Sequence, residues 1–93
     1  SYDLKGRGPK DNKMWHIRNP GYRCKGSGTV VISIKVDRTG IVKDAKLDQS
    51  RSSGYTQCMV DNALKYALLS KFNYKESAPS MQTGSIKYNF IAQ

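Results

Sequence analysis

Apolar residues recur with a period of two along the segment that begins at Gly28. Four branched aliphatic residues recur at every second position and so share one face of a β-strand: Val30, Ile32, Ile34 and Val36. The polar run Asp37-Arg38-Thr39-Gly40 follows them and predicts a type I turn closed by a glycine in the left-handed region. A second apolar run over residues 41–47 completes a β-hairpin with one apolar face.

In the second strand of this hairpin, the apolar residues do not keep the two-residue period of a β-strand. Its inward candidates are Val42, then Ala45 and Leu47. One extra residue near Lys43-Asp44, a β-bulge, restores the alternation. The bulge predicts two facing pairs across the hairpin, Ile34 with Ala45 and Ile32 with Leu47.

A helical period follows the hairpin and supplies a cover for its apolar face. Five residues at the i, i+3, i+4, i+7 and i+8 spacing form one stripe: Val60, Ala63, Leu64, Ala67 and Leu68. Thr56 is the predicted N-cap, and the helix is expected to end near Lys71 or Phe72.

Alternation returns at Gly84, which opens a last strand with inward Ile86, Tyr88 and Phe90. Because the helix ends near the hairpin turn, this strand should return antiparallel beside the first hairpin strand. The predicted fold class is therefore α+β, a small β-β-α-β domain over residues 28–93. Its three-stranded antiparallel sheet, in the order 2-1-3, is covered on one face by the helix. Residues 1–27 show no sustained period and are predicted to form an irregular basic N-terminal arm.

Sixteen Lys and Arg residues against seven Asp and Glu give the chain a formal charge of +9. Such a surface favours polyanions and acidic partners, so a small nucleic-acid-binding domain is one open alternative. The predicted outward positions of the first and last strands nevertheless offer no aromatic platform on which bases could stack. They are Thr29, Val31, Ser33, Lys35, Ser85, Lys87 and Asn89. We therefore expect no nucleic-acid partner.

The chain has two cysteines, Cys24 and Cys58. An even count is compatible with a disulfide in an oxidising compartment, and two buried free thiols are the alternative. Cys24 shortly precedes the first strand, and Cys58 lies in the predicted first helical turn. That turn follows the end of the antiparallel partner strand, so the two thiols should be neighbours. We predict that they form a disulfide.

The sequence contains no constellation typical of an enzyme. His16 is the only histidine, and no cysteine or histidine spacing fits a metal site, so neither a metal nor a cofactor is expected. The remaining carboxylates are explained by the predicted turn, bulge, loop and helix surface: Asp37, Asp44, Asp48 and Asp61. No stretch approaches about 20 apolar residues, the length that spans a bilayer.

Several stretches resemble one known family in their order and spacing. They are Arg18-Asn19-Pro20-Gly21-Tyr22, Gly28 through Leu47, Ser52-Ser53-Gly54, Ala63 through Phe72, and Gly84 through Phe90. Over roughly residues 18 to 92 the chain is similar to the C-terminal domain of TonB, the periplasmic energy transducer of Gram-negative envelopes. The family usually has Trp-Arg-Phe/Tyr where Ser70-Lys71-Phe72 stands here, and a proline commonly follows where this chain has Tyr74.

The resemblance implies a non-enzymatic domain that binds the TonB box of outer-membrane receptors and transmits force from the ExbB/ExbD motor for active uptake. It implies a periplasmic location, an inner-membrane anchor and Pro-rich spacer outside this sequence, and a monomeric or dimeric state. A TolA-like module that binds other envelope proteins is the alternative with the same general architecture.

The expected binding site is the exposed edge of the last strand, where a peptide can add by β-augmentation. Its backbone groups are those of Ser85, Ile86, Lys87, Tyr88, Asn89, Phe90 and Ile91. Lys87 and Asn89 are predicted to read side chains beside the added strand. The end of the peptide is predicted to be clamped by Arg18, Asn19 and Tyr22.

Overall fold

The computed structural model describes residues 2–8 and 24–92. This part of the chain forms one α-helix and four strands: β1 (Tyr2–Asp3), β2 (Gly28–Asp37), β3 (Val42–Leu47), α1 (Gln57–Leu69) and β4 (Met81–Phe90). The strands make one antiparallel sheet in the order β1-β4-β2-β3, and α1 packs on one face of it. The predicted α+β class is confirmed. Within the described ranges, no helix has the length and apolar character needed to cross a membrane.

The β2–β3 hairpin has the register that the apolar pattern predicts. The facing pairs are Ile32 with Leu47, Ile34 with Ala45, and Val36 with Val42. The ladder steps from the Lys35–Asp44 pair to Val36–Val42, so Lys43 is the extra residue of the predicted bulge. The inward residues of both strands can therefore join one core.

Gly40 closes the hairpin turn with a positive φ of 96°, a conformation that side chains disfavour. The Gly40 N–H donates to the Asp37 carbonyl at 3.0 Å, and the Asp37 N–H donates to the Ile41 carbonyl at 3.0 Å. A Cβ at position 40 would lie only 1.8 Å from the Phe72 carbonyl oxygen. Glycine is thus required at position 40 for two reasons: the backbone angles of the turn, and its close contact with the segment after α1.

α1 begins at Gln57, behind the predicted N-cap Thr56, whose hydroxyl accepts a hydrogen bond from the Met59 N–H at 3.3 Å. Its buried residues are Met59, Val60, Ala63 and Ala67, whereas Leu68 is 51% exposed. The apolar stripe is thus rotated towards Met59 relative to the prediction. The helix ends at Leu69, earlier than expected, because the following backbone is extended and Lys71 forms a β-bridge with Ile41.

The sheet has four strands, so the prediction of three is wrong. The expected neighbours β3, β2 and β4 keep their order, but β1 pairs with β4 beyond them, with Tyr2 opposite Ile86 and Asp3 opposite Ser85. Two residues are too few for a strand period to be recognised in a sequence. Gly84 permits the approach of β1, because a Cβ there would lie 2.4 Å from the Asp3 carbonyl oxygen.

The polar segment after β3 continues the sheet along β2. A short 3₁₀ helix, Gln49–Arg51, interrupts the pairing with β2 after β3 ends. The residues after this helix pair with β2 again. Thr29 and Ser53 exchange two backbone hydrogen bonds, of 2.8 and 2.9 Å. The Ser52 hydroxyl accepts from the Val31 N–H at 2.8 Å. The serine pair in Ser-Ser-Gly therefore joins the segment before α1 to the start of β2.

Cys24 and Cys58 form the predicted disulfide, with their Cα atoms 5.7 Å apart across a sequence separation of 34. Cys58 lies in the first turn of α1, and Cys24 precedes β2. The Asn62 side-chain amide donates to the Cys58 carbonyl at 2.9 Å and lies 3.4 Å from the Cys24 sulfur. The bond therefore ties the start of the helix to the chain that enters the sheet.

The hydroxyl of Tyr88 is buried in the core, and its polar neighbour among the described residues is the Ser70 hydroxyl, with which it forms no hydrogen bond of good geometry. Burial raises the pKa of this phenol well above its ordinary value. A buried hydroxyl without a partner costs about 1–3 kcal/mol of desolvation. Ser70 offsets little of this cost, because its hydroxyl donates to the Tyr66 carbonyl at 2.9 Å, so a phenyl ring should suit the site at least as well.

We expect Tyr88→Phe to raise the free energy of unfolding by about 1 kcal/mol, since it removes that desolvation cost and keeps the ring. Urea denaturation followed by circular dichroism measures the change. Tyr74→Phe is the matched control, because Tyr74 is largely exposed and should leave stability unchanged. A loss of stability in Tyr88→Phe would show that the hydroxyl makes a favourable hydrogen bond in solution.

Candidate peptide-binding edge

The direction of the β4 backbone groups follows from hydrogen bonds made on β2. Thr29 exchanges its bonds with Ser53, so its groups point to the β3 side of the sheet. Successive residues of a strand direct these groups to opposite sides, so Val30 points to β4 and its partner Tyr88 points back to β2. Asn89, the next residue, therefore directs its N–H and C=O to the outer edge of the sheet.

The outer edge of β4 is divided into two parts. The same alternation directs Ser85 outward, and there Asp3 of β1 lies opposite it. No strand in the described part of the chain pairs with Asn89 on this side. The prediction that β4 is an edge strand along its whole length is therefore wrong at Ser85 and Ile86. Among the described strands, β1 covers this edge at Ser85 and Ile86 and none covers it at Asn89.

The side chains of β4 follow the predicted alternation. Ile86, Tyr88 and Phe90 are buried in the core under α1, whereas Lys87 and Asn89 are exposed on the opposite face. The Asn89 side-chain carbonyl oxygen lies 3.2 Å from the Thr29 hydroxyl, which donates to it. Ser85 is also on this opposite face but is only 7% exposed. Arg18, Asn19 and Tyr22, the predicted clamp, lie outside the described residues.

A groove of about 400 Å³ lies at the C-terminal end of β4, directly beside Asn89. Its lining includes the side chains of Ser27, Thr29, Ser53 and Ile91, the last of which is 72% exposed. Ser27 also holds the chain after β4, since its hydroxyl accepts from the Ala92 N–H at 2.9 Å. An uncharged groove next to outward backbone groups is suited to a side chain of an added strand.

Sequence reasoning missed the N-terminal strap, which we define as residues 2–8. Its Arg7 is only 5% exposed. The guanidinium donates to the carbonyl oxygens of Asp37 at 2.8 Å, Asn73 at 2.8 and 3.1 Å, and Arg38 at 3.2 Å. It also donates to the side-chain oxygen of Gln82 at 3.3 Å. Nothing in a basic, aperiodic segment distinguishes such a buried arginine from a solvated one.

Other contacts fasten the same strap to the domain. Leu4 is 4% exposed and belongs to the hydrophobic core. Gly8 and Asn73 make a reciprocal pair, since the Gly8 N–H donates to the Asn73 side-chain oxygen at 2.8 Å and the Gly8 carbonyl accepts from the Asn73 N–H at 2.9 Å. The Tyr2 ring meets the Phe72 ring edge-on at 5.8 Å. The strap is thus part of the folded domain.

The carboxylate of Asp37 has a structural role that its contacts explain. The Asp37 carboxylate accepts from the Thr39 hydroxyl and from the Ile41 N–H, and the Thr39 bond is the main cause that lowers the pKa of this carboxyl. Within residues 2–8 and 24–92, no group of three His, Cys, Asp or Glu residues is placed to hold a metal ion.

Comparison of the chain with protein-family models, with curated proteins and with solved structures finds no match. The geometry of the β4 edge and the resemblance in sequence are accordingly the observations that bear on function.

Proposed function

We propose that this chain is the periplasmic C-terminal domain of a TonB-like energy transducer. In this proposal it binds the TonB box of outer-membrane receptors by β-strand addition to β4. ExbB and ExbD would act on it through a membrane-anchored region outside this sequence. The proposal assigns the domain to protein–protein recognition and force transmission, without catalysis, metal or cofactor.

The observation that carries the proposal is the outward direction of the Asn89 backbone groups, on an edge that no described strand covers at that residue. Backbone hydrogen bonds tolerate different side chains, which suits a domain that serves many receptors. Lys87 and the groove beside Asn89 supply contacts for the side chains of the partner.

Two further features support the same compartment and family. The Cys24–Cys58 disulfide is typical of oxidising environments such as the periplasm. The resembling segments also have defined structural roles, because Asp37 to Gly40 form the hairpin turn and Ser52 and Ser53 bond to β2.

Replacing Asn89 with proline tests the proposal directly. The Asn89 N–H points away from β2, so proline removes an outward donor and leaves the β2–β4 ladder its own hydrogen bonds. We expect affinity for a synthetic TonB-box peptide to fall at least about tenfold, the effect of losing roughly 1.4 kcal/mol. Isothermal titration calorimetry measures the affinity, and circular dichroism verifies that the variant is folded.

Two variants serve as controls. Asn89→Ala keeps the N–H and should bind within about twofold of the wild type if the backbone is the main determinant. Ala45→Pro places the same change on β3, where alternation from the Ser33–Lys46 pair directs the Ala45 N–H to the opposite edge of the sheet. Unchanged peptide affinity in folded Asn89→Pro, or equal loss in Ala45→Pro, would contradict recognition at the β4 edge.

A further inference from the structure

A pocket lies at the N-terminal end of β4, between the N-terminal strap and the loop that follows α1. Its volume is about 320 Å³, at the lower end of the roughly 300–1,000 Å³ of small-molecule sites. Its lining includes Lys5, Lys75, Ser77, Pro79 and Gln82. We propose that this pocket binds a phosphate monoester carried on a small polar body, as in a sugar phosphate.

The loop that forms one wall of the pocket is fixed by hydrogen bonds. The Ala78 N–H donates to the Lys75 carbonyl at 3.1 Å, which closes a turn. Arg38 holds both ends of that turn, because its carbonyl accepts from the Lys75 N–H at 3.0 Å and its Nε donates to the Ala78 carbonyl at 2.8 Å. A wall fixed in this way holds its donors in place before a ligand binds, which lowers the cost of binding.

The strap forms another wall, and Gln82 fixes it. The Gln82 side-chain amide donates to the Lys5 carbonyl at 2.8 Å, and its side-chain oxygen accepts from the Arg7 guanidinium at 3.3 Å. The Lys75 ammonium donates to the Gly6 carbonyl at 3.3 Å, which positions it between the loop and the strap. An ammonium has three donors, so within the described residues two remain for a ligand.

The positive charges around the pocket have no counter-charge in the described part of the chain. Arg7 is 5% exposed, and its acceptors there are backbone carbonyls and the Gln82 side-chain oxygen, all uncharged. No described carboxylate forms an ion pair with Arg7, Lys5 or Lys75. Glu76 lies in the same loop but is exposed and does not line the pocket. Because buried cations are normally paired, the pocket beside Arg7 favours an anion.

The donors of the lining suit a phosphate better than a carboxylate. Lys5, Lys75 and Ser77 contribute two ammonium groups and a hydroxyl. A phosphate monoester offers three terminal oxygens and a charge of about −1.5 to −2 at pH 7. A carboxylate offers two oxygens in one plane and a single charge. Ala78 and Pro79 add an apolar wall, against which the carbon atoms of a sugar ring can pack.

The test titrates isotope-labelled protein with glucose 6-phosphate and follows the amide signals by NMR. We expect saturable shifts of the Gly6, Lys75 and Ser77 amides. Glucuronate has a similar ring with a carboxylate, and inorganic phosphate lacks the ring. Each should bind at least about fivefold more weakly than glucose 6-phosphate.

Three variants with the same change of charge locate the site. Lys5→Gln and Lys75→Gln should each weaken the binding of glucose 6-phosphate about fivefold. Lys5 is exposed and its ammonium bonds to none of the described residues, so its loss should leave the fold intact. Lys46→Gln is the matched control, since Lys46 is exposed on β3 at the far edge of the sheet, and it should bind within about twofold of the wild type.

Each alternative has its own signature in these titrations. Shifts that do not saturate, or an equal loss in Lys46→Gln, would show attraction to the overall positive charge and overturn the pocket. Equal affinity for glucuronate would overturn the choice of phosphate, and equal affinity for inorganic phosphate would overturn the sugar-sized body. The pocket lies at Gln82 and not at Asn89, so none of these results bears on strand addition.

Discussion

Breaking the Cys24–Cys58 disulfide is expected to lower the free energy of unfolding by about 3–4 kcal/mol. The bond spans a sequence separation of 34, and in the chain-entropy model a loop of that length loses roughly this stabilisation when it is opened. A domain of 93 residues has a modest core, so the loss is a large share of its stability. Cys24 is itself buried in that core, which adds a packing cost when its sulfur is removed.

Guanidinium denaturation of the double variant Cys24→Ala/Cys58→Ala measures this loss. The wild type in a thiol reductant gives a second measurement without a change of side chains, and the double variant in reductant is its control, since it has no bond to reduce. A loss below about 1 kcal/mol by both routes would show that the unfolded chain is already restricted in this region.

Replacing Arg7 with methionine is expected to cost about 3 kcal/mol of unfolding free energy. Methionine fills most of the space of the arginine stem but donates no hydrogen bond. The carbonyls of Asp37, Arg38 and Asn73 would then lose a charged donor inside a nearly closed site. Hydrogen bonds from charged groups contribute about 1.5–3 kcal/mol, and unsatisfied buried acceptors add their desolvation cost.

Arg7→Lys separates charge from geometry at the same site. The ammonium keeps the charge, but it is a compact group and cannot reproduce the planar fork that reaches several carbonyls, so we expect an intermediate loss. Arg51→Met is the matched control, because Arg51 is exposed and its ion pair with Asp48 is long, at 3.9 Å. Urea denaturation gives all three values, and a loss in Arg7→Met no larger than in Arg51→Met would contradict the role of the carbonyl contacts.

The hairpin was predictable to the residue because its apolar alternation admits one register. A shift of one position would turn Ile32 and Ile34 out of the core, so the pairs with Leu47 and Ala45 follow once the bulge at Lys43 is included. The disulfide followed from the same reasoning, since antiparallel pairing brings the start of β2 near the start of α1. Both inferences use periodicity, which a sequence displays directly.

The strap was not predictable because its determinants are not periodic. β1 has two residues, and its pairing depends on the approach permitted by Gly84 far along the chain. Arg7 is held by backbone carbonyls, which every residue possesses, so no particular side chain in the sequence indicates its site. The sequence predicted an exposed edge along the whole of β4, but Asp3 pairs with Ser85, and this long-range contact leaves no periodic signal.

The bulge in β3 gives the two outer edges of the sheet different capacities for assembly. β3 has six residues, is interrupted at Lys43, and exposes Lys43 and Lys46, three features that discourage pairing with another strand. Within the described residues, the Asn89 end of β4 is then the one sheet edge suited to pairing with another strand. Two copies meeting there would form a closed, twofold-symmetric pair with no second edge to offer. A chain of subunits that grows from sheet to sheet needs two edges that can pair, and the described residues present one.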